Sequence, residues 1–234
     1  MLKPKKKLTK TEIKQDTLLT TYAKLTSYYD TYKKYFNYGI TAVIAIIVIV
    51  VIYVNNKKAN DEKAATELGK IFSIYDRGAS DPKQYQTAID GQPERGIMGL
   101  KSIVDNYGST SSGEIARFYL AQAYMNLDKI DEALKNFDSF SSDNDILSSS
   151  AEAGMAACYE RKNDLDKAAS YYEKAAKIAS DQNNTPEYLN SAALCYGKIG
   201  EKEKAIIILK RIKKEFPKSQ VAREVDRYIS QFSS

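Results

Sequence analysis

The chain contains no histidine. That absence removes Ser-His-Asp and Cys-His nucleophile systems, zincin motifs and imidazole-ligated metals together. Cysteine is scarce as well: Cys158 and Cys195 stand 37 positions apart and make no disulfide framework. There is no glycine-rich phosphate loop, no CxxC pair and no EF-hand loop. Asp143-Asn-Asp145 has the composition of a calcium site but lacks its Gly and distal Glu, so it reads as a solvated loop. Acidic residues are plentiful, and spacing alone singles out no carboxylate pair. No cofactor, metal or small-molecule substrate is implied, and the chain is expected not to be an enzyme.

A net positive charge is also missing from most of the chain. The 234 residues carry a formal +5, but residues 1–38 hold nine lysines against Glu12, Asp16 and Asp30. Residues 39–54 hold no charge at all, and the remainder has 26 basic and 27 acidic side chains. The basic character belongs to a short tail, so no nucleic-acid-binding body is expected.

The uncharged run at 40–54 has six Ile and five Val. Fifteen helical residues cover ~22 Å, short of the ~30 Å hydrocarbon core. Extending the run back to Tyr35 gives twenty residues with aromatics at the level of an interfacial belt. Eleven Ile and Val at roughly −0.3 to −0.6 kcal/mol each favour insertion by about 3–7 kcal/mol. In lipid such a segment must satisfy its own backbone, so the expectation is one spanning helix at 39–54, its start reaching to about 35. The preceding region is longer than a signal n-region, and no small-x-small site follows, so the segment reads as an uncleaved anchor. Lysines close to the span are nearly balanced: Lys24, Lys33 and Lys34 on one side, Lys57, Lys58, Lys63 and Lys70 on the other. The whole tail is short and lysine-loaded, however, while long domains translocate largely regardless of charge. The predicted topology is a single pass with residues 1–38 in the cytoplasm and the large domain outside.

In that tail, Thr9-x-x-Glu12 fits a capping box. Leu18, Tyr22, Leu25, Tyr29, Tyr32 and Phe36 then recur at steps of 4, 3, 4, 3 and 4, a heptad seam flanked by lysines. An amphipathic helix on an anionic leaflet and a docking helix for a membrane protein both fit this pattern.

Beyond residue 112 the chain repeats. Ala121-Gln-Ala-Tyr124 with Ala133-Leu-Lys-Asn-Phe137 aligns with Ala156-Ala-Cys-Tyr159 and Ala168-Ala-Ser-Tyr-Tyr172. Both align with Ala193-Leu-Cys-Tyr196 and Ala205-Ile-Ile-Ile-Leu209. The equivalent tyrosines are 35 and 37 apart, and in each unit Ala follows Tyr by nine positions and a large apolar residue follows Ala by four. A small residue lets two helices approach, and the apolar residues a turn away fill the gap. Polar turns separate the two helices of each unit.

This pattern resembles the tetratricopeptide repeat, with a period of ~34 residues. The third unit keeps the closing proline, Pro217, whereas Arg117, Glu152 and Leu189 stand where the family has Trp. The implied fold is all-α: an N-terminal amphipathic helix and one transmembrane helix, followed by a tetratricopeptide-repeat solenoid over 59–234. Its parts are a degenerate repeat at 59–110, repeats at about 114–148, 149–185 and 186–218, and a capping helix at 219–232. The degenerate unit pairs Ala64-to-Tyr75 with Gly96-to-Ser109 across a long connector. Cys158 and Cys195 precede the motif tyrosine and are expected to be buried, free thiols.

The layout of the chain is similar to YfgM-type membrane-anchored ancillary subunits of the Sec translocon. That resemblance implies an inner-membrane protein with a periplasmic interaction domain, binding the translocon or a periplasmic foldase. A structural or regulatory adaptor in envelope assembly or division is the alternative, with the anchor only a tether. The repeat family's groove positions imply Ile115, Phe118, Gln122, Met125 and Asn126 in the first clear unit. They imply Ser150, Ala153, Ala157, Glu160 and Arg161 in the second, and Glu187, Asn190, Leu194, Gly197 and Lys198 in the third. The protein-binding candidates are Phe118, Gln122, Met125, Arg161, Leu194 and Lys198, a mixed apolar-basic groove. Since one residue of helix phase swaps faces, Phe118, Met125 and Leu194 fit the core equally well.

Overall fold

The computed structural model describes residues 10–179, 181 and 183–233, with 10–18 as backbone only. Thr9 of the capping box and the side chains of Glu12 and Leu18 lie outside this description. The chain divides into two compact units at Asn56/Lys57.

Helix α1 runs unbroken from Lys10 to Asp76, 67 residues. The sequence suggested a tail helix, a span and a repeat helix in succession; all three belong to one helix. The reason is local: no proline occurs between Pro4 and Pro82, and only Gly39 and Gly69 interrupt the side-chain array. Threonines, weak helix formers, fold their hydroxyls back onto the helix, as Thr26 does to Tyr22 O (2.9 Å), Thr31 to Ser27 O (2.8 Å) and Thr41 to Asn37 O (2.9 Å). In the first unit every residue of the apolar run is exposed, as are Tyr22, Leu25, Tyr29, Tyr32 and Phe36 of the seam. The helix is long and apolar enough to cross a membrane.

The second unit begins with the last five turns of α1. A 3-10 turn (Arg77–Ala79) leads to α2 (Lys83–Asp90), and a two-stranded antiparallel ribbon, β1 (Gly91–Gln92) with β2 (Ile97–Met98), precedes α3 (Leu100–Tyr107). Then come α4 (Ser111–Asn126), α5 (Ile130–Asp138), α6 (Asp145–Arg161), α7 (Leu165–Ala179), α8 (Asn184–Lys198) and α9 (Lys202–Glu215). A 3-10 turn (Val221–Arg223) and α10 (Val225–Ser233) follow. Each helix packs on its sequence neighbour from α3 to α9, which makes an all-α solenoid with the ribbon as a small addition.

The hairpins α4–α5, α6–α7 and α8–α9 share one turn. Asp128, Asn163 and Gly200 adopt left-handed φ of 59°, 58° and 86° at equivalent positions. The next residue's N–H returns to the motif tyrosine carbonyl in all three: Lys129 to Tyr124, Asp164 to Tyr159 and Glu201 to Tyr196, each at 2.9 Å. These are Schellman caps, and Asp, Asn and Gly are the residues that tolerate the conformation.

Three apolar clusters run through the stack. The first joins Ala64, Leu68, Ile71 and Ile74 of α1 to Leu100, Ile103 and Val104 of α3 and Leu120 of α4. The second holds Phe118, Ala133, Phe137, Met155 and Cys158, and the third extends from Ala156 to Phe232. Alanine recurs where helices touch, and every motif alanine (Ala121, Ala156, Ala193, Ala133, Ala168, Ala205) is fully buried. The long connector contributes Ala88 and Ile89 of α2 to the first cluster. At the other end, Val221, Val225 and Phe232 close the third.

Candidate protein-binding groove

One layer of the solenoid is formed by the end of α1, α4, α6 and α8 side by side. Cross-helix contacts define it: Tyr75 hydroxyl donates to Gln122 Oε1 (3.0 Å), and the Phe72 and Tyr119 rings meet at 4.7 Å. Arg161 Nη1 of α6 reaches Asp128 Oδ1 after α4 (3.0 Å). Lys198 Nζ of α8 reaches Glu160 Oε1 of α6 (3.5 Å), and the Ser150 and Tyr188 hydroxyls stand 3.5 Å apart.

Of the two readings open for Phe118, its burial fits the core. It is 5% exposed and lies in the second cluster, with its ring 5.9 Å from Phe137, 5.6 Å from Phe140 and 5.7 Å from Tyr119. These ring contacts lie within its own repeat, and the cluster extends to Ala151, Met155 and Cys158 of the next. Met125 and Leu194 are half-buried, packed along the edges of the second and third clusters. Gln122 is half-buried and bound to Tyr75. Arg161 and Lys198 are exposed, but each is matched to a neighbouring carboxylate, so the basic half of the expected groove is neutralised within the chain.

Family models described as tetratricopeptide repeat match residues 116–144, 154–182 and 191–219. The chain carries tetratricopeptide repeats. Comparison with curated proteins and with solved structures gives no significant match. The tetratricopeptide repeat is a protein-interaction module, and the groove positions of its first helices can be followed across this layer. In the middle repeat they are Ser150, Ala153 and Ala157, small and half-buried. In the third, Leu194 and Asn190 stand beside them, with Asn190 Oδ1 buried and unbonded among the described residues. Gly197, another groove position, is occupied by the Phe232 ring of α10, which lies where a Cβ would go.

Sequence spacing gave no signal for Tyr75 or Phe232, because their helices, α1 and α10, lie outside the three clear repeats. Buried chemistry is sparse. Cys158 and Cys195 are free and fully buried, and burial pushes their thiols up to about 11 and about 12. The Tyr172 hydroxyl, buried and donating to Glu160 Oε2 (2.8 Å), is likewise raised well above its ordinary range. Among the described residues no group of three or more Cys, Asp or Glu is placed to hold a metal ion.

Proposed function

We propose that this protein is a membrane-tethered scaffold whose repeat groove holds a largely uncharged polypeptide segment, extended or helical. The observation that carries the reading is the charge pairing: with Arg161 held by Asp128 and Lys198 by Glu160, what faces a ligand between them is Ser150, Ala153, Ala157 and Leu194. A floor of small side chains admits a partner's own apolar anchors, which is how a groove concentrates binding energy in a few contacts. Residues 39–54 cross the bilayer, residues 1–38 lie in the cytoplasm and the repeats lie in the periplasm. The partner is an export or folding component beside that anchor, such as the Sec translocon or a membrane-bound foldase.

A photo-crosslinking residue in place of Leu194 tests the groove in intact membranes. The adduct should disappear when Ala157→Glu puts a charge on the floor; an adduct unchanged by Ala157→Glu sinks the groove reading. Protease added to spheroplasts should digest the repeats, and survival until permeabilisation reverses the topology. Replacing residues 1–54 by an unrelated anchor should abolish function with a translocon partner and spare an adaptor that is merely tethered.

A further inference from the structure

Charge is divided unevenly along the repeat-bearing unit. Residues 55–197 carry sixteen basic and twenty-two acidic side chains, whereas residues 198–234 carry ten and five. Several of those ten are matched in place: Lys204 to Glu201 (3.3 Å), Arg211 to Glu215 (2.8 Å), Lys213 to Asp226 (2.7 Å) and Arg227 to Glu224 (2.6 Å). The side chains of Lys210 and Lys214 form no ion pair or hydrogen bond among the described residues. They belong to one row, Glu203-Ile207-Lys210-Lys214, at steps of 4, 3 and 4 on α9. The row lies opposite the face that buries Ala205, Ile208, Leu209 and Ile212, so it is the outermost line of that helix. At its centre Ile207 is 67% exposed, the most exposed large apolar residue outside the first unit. Lys218 follows just past Pro217, exposed and likewise without a partner among the described residues.

We propose that this outer row of α9 docks the last repeat on an anionic phospholipid surface, with Lys210 and Lys214 at the headgroups and Ile207 dipping between them. Three features select a bilayer over a folded acidic protein. The free cations of the row are lysines, point charges on flexible stems that suit mobile headgroups, whereas bidentate protein carboxylates select arginine; the arginine beside the row, Arg211, is already engaged. An exposed aliphatic side chain amid lysines is the pattern of interfacial helices. The acidic remainder of the unit is repelled by the same surface, so the docked orientation is the one that presents α9. The inference rests on the proposed tether, which keeps the repeats within reach of a bilayer.

The test uses the full chain with Glu203→Cys carrying an environment-sensitive fluorophore; the native thiols are buried and leave the new site as the point of labelling. The protein is assembled in nanodiscs of phosphatidylcholine alone or with phosphatidylglycerol added. A blue-shifted emission is expected only in the anionic discs, and it should vanish in high salt. Lys210→Glu with Lys214→Glu should lower the docked-to-free ratio about tenfold or more, and Ile207→Ser should lower it too. Equal emission in both disc types, or a shift that survives the charge reversal, overturns the proposal. A shift produced in neutral discs by added polyglutamate, with none in anionic discs, also overturns it and assigns the row to an acidic polypeptide. Failure of the chain to co-elute with the discs refutes the tether separately, and the same label read against vesicles of the two compositions then decides the row.

Discussion

Phe118→Ala is the sharpest test of how the repeats are joined. The side chain is 5% exposed and belongs to α4, yet its cluster includes Ala151, Met155 and Cys158 of the next repeat. Truncation removes a buried ring and three ring contacts, those with Tyr119, Phe137 and Phe140. Phe→Ala at a core site costs about 3–5 kcal/mol, and each aromatic contact supplies roughly 0.5–1.5 kcal/mol of such a loss. Against a typical domain stability of about 5–15 kcal/mol the loss is large. Because solenoid repeats are coupled through their neighbours, it should separate the first cluster from the third. Chemical denaturation of the full chain, followed by circular dichroism, should show a lower midpoint and a broadened or split transition. Hydrogen exchange should rise first in α4 and α5. An unchanged midpoint would mean that Phe118 projects from the groove after all, and the face assignment of α4 would be wrong.

Ala168→Leu should lower the thermal midpoint, since Ala168 is fully buried in the third cluster and overpacking costs ~1–3 kcal/mol; an unchanged midpoint refutes the α6–α7 contact. Gly200→Ala should cost about 1 kcal/mol because φ there is 86°, while Asn163→Gly at the equivalent turn should be close to neutral, both read from denaturation midpoints. The native thiols should resist alkylation until the chain unfolds. Their folded values are raised, so their contribution to stability is complete below the ordinary thiol value of 9.0 and is lost as pH rises toward about 11 and 12; a denaturation midpoint flat across that window refutes it. Asp61→Ala should loosen the start of α4, because Asp61 accepts the Ser112 N–H (2.7 Å) and is held below the usual carboxylate range mainly by that bond. The Asp61 contribution is present at neutral pH and fades as pH falls through the carboxylate range, which acid titration of wild type against variant should show.

The sequence alone determined the features that rest on local chemistry. Periodic Ala and Tyr placed the hairpins, Asp128, Asn163 and Gly200 were in the polar turns between them, and a charge-free Ile/Val run marked a stretch of helix apolar enough for lipid. The burial of both cysteines followed from their equivalence to Ala123 in the repeat. Tertiary structure decided whatever depends on which neighbour a face meets. A helix turns 100° per residue, so Phe118 lay within one position of either the groove or the core, and only the ring contacts with Phe137 and Phe140 settled it. Arg161 and Lys198 read as free cations in sequence because their partners, Asp128 and Glu160, sit 33 and 38 positions away and come alongside only when α4, α6 and α8 stack. Gly197 read as an open groove position for the same reason: the ring that covers it belongs to α10, and nothing local to α8 announces that Phe232 will fold back upon it.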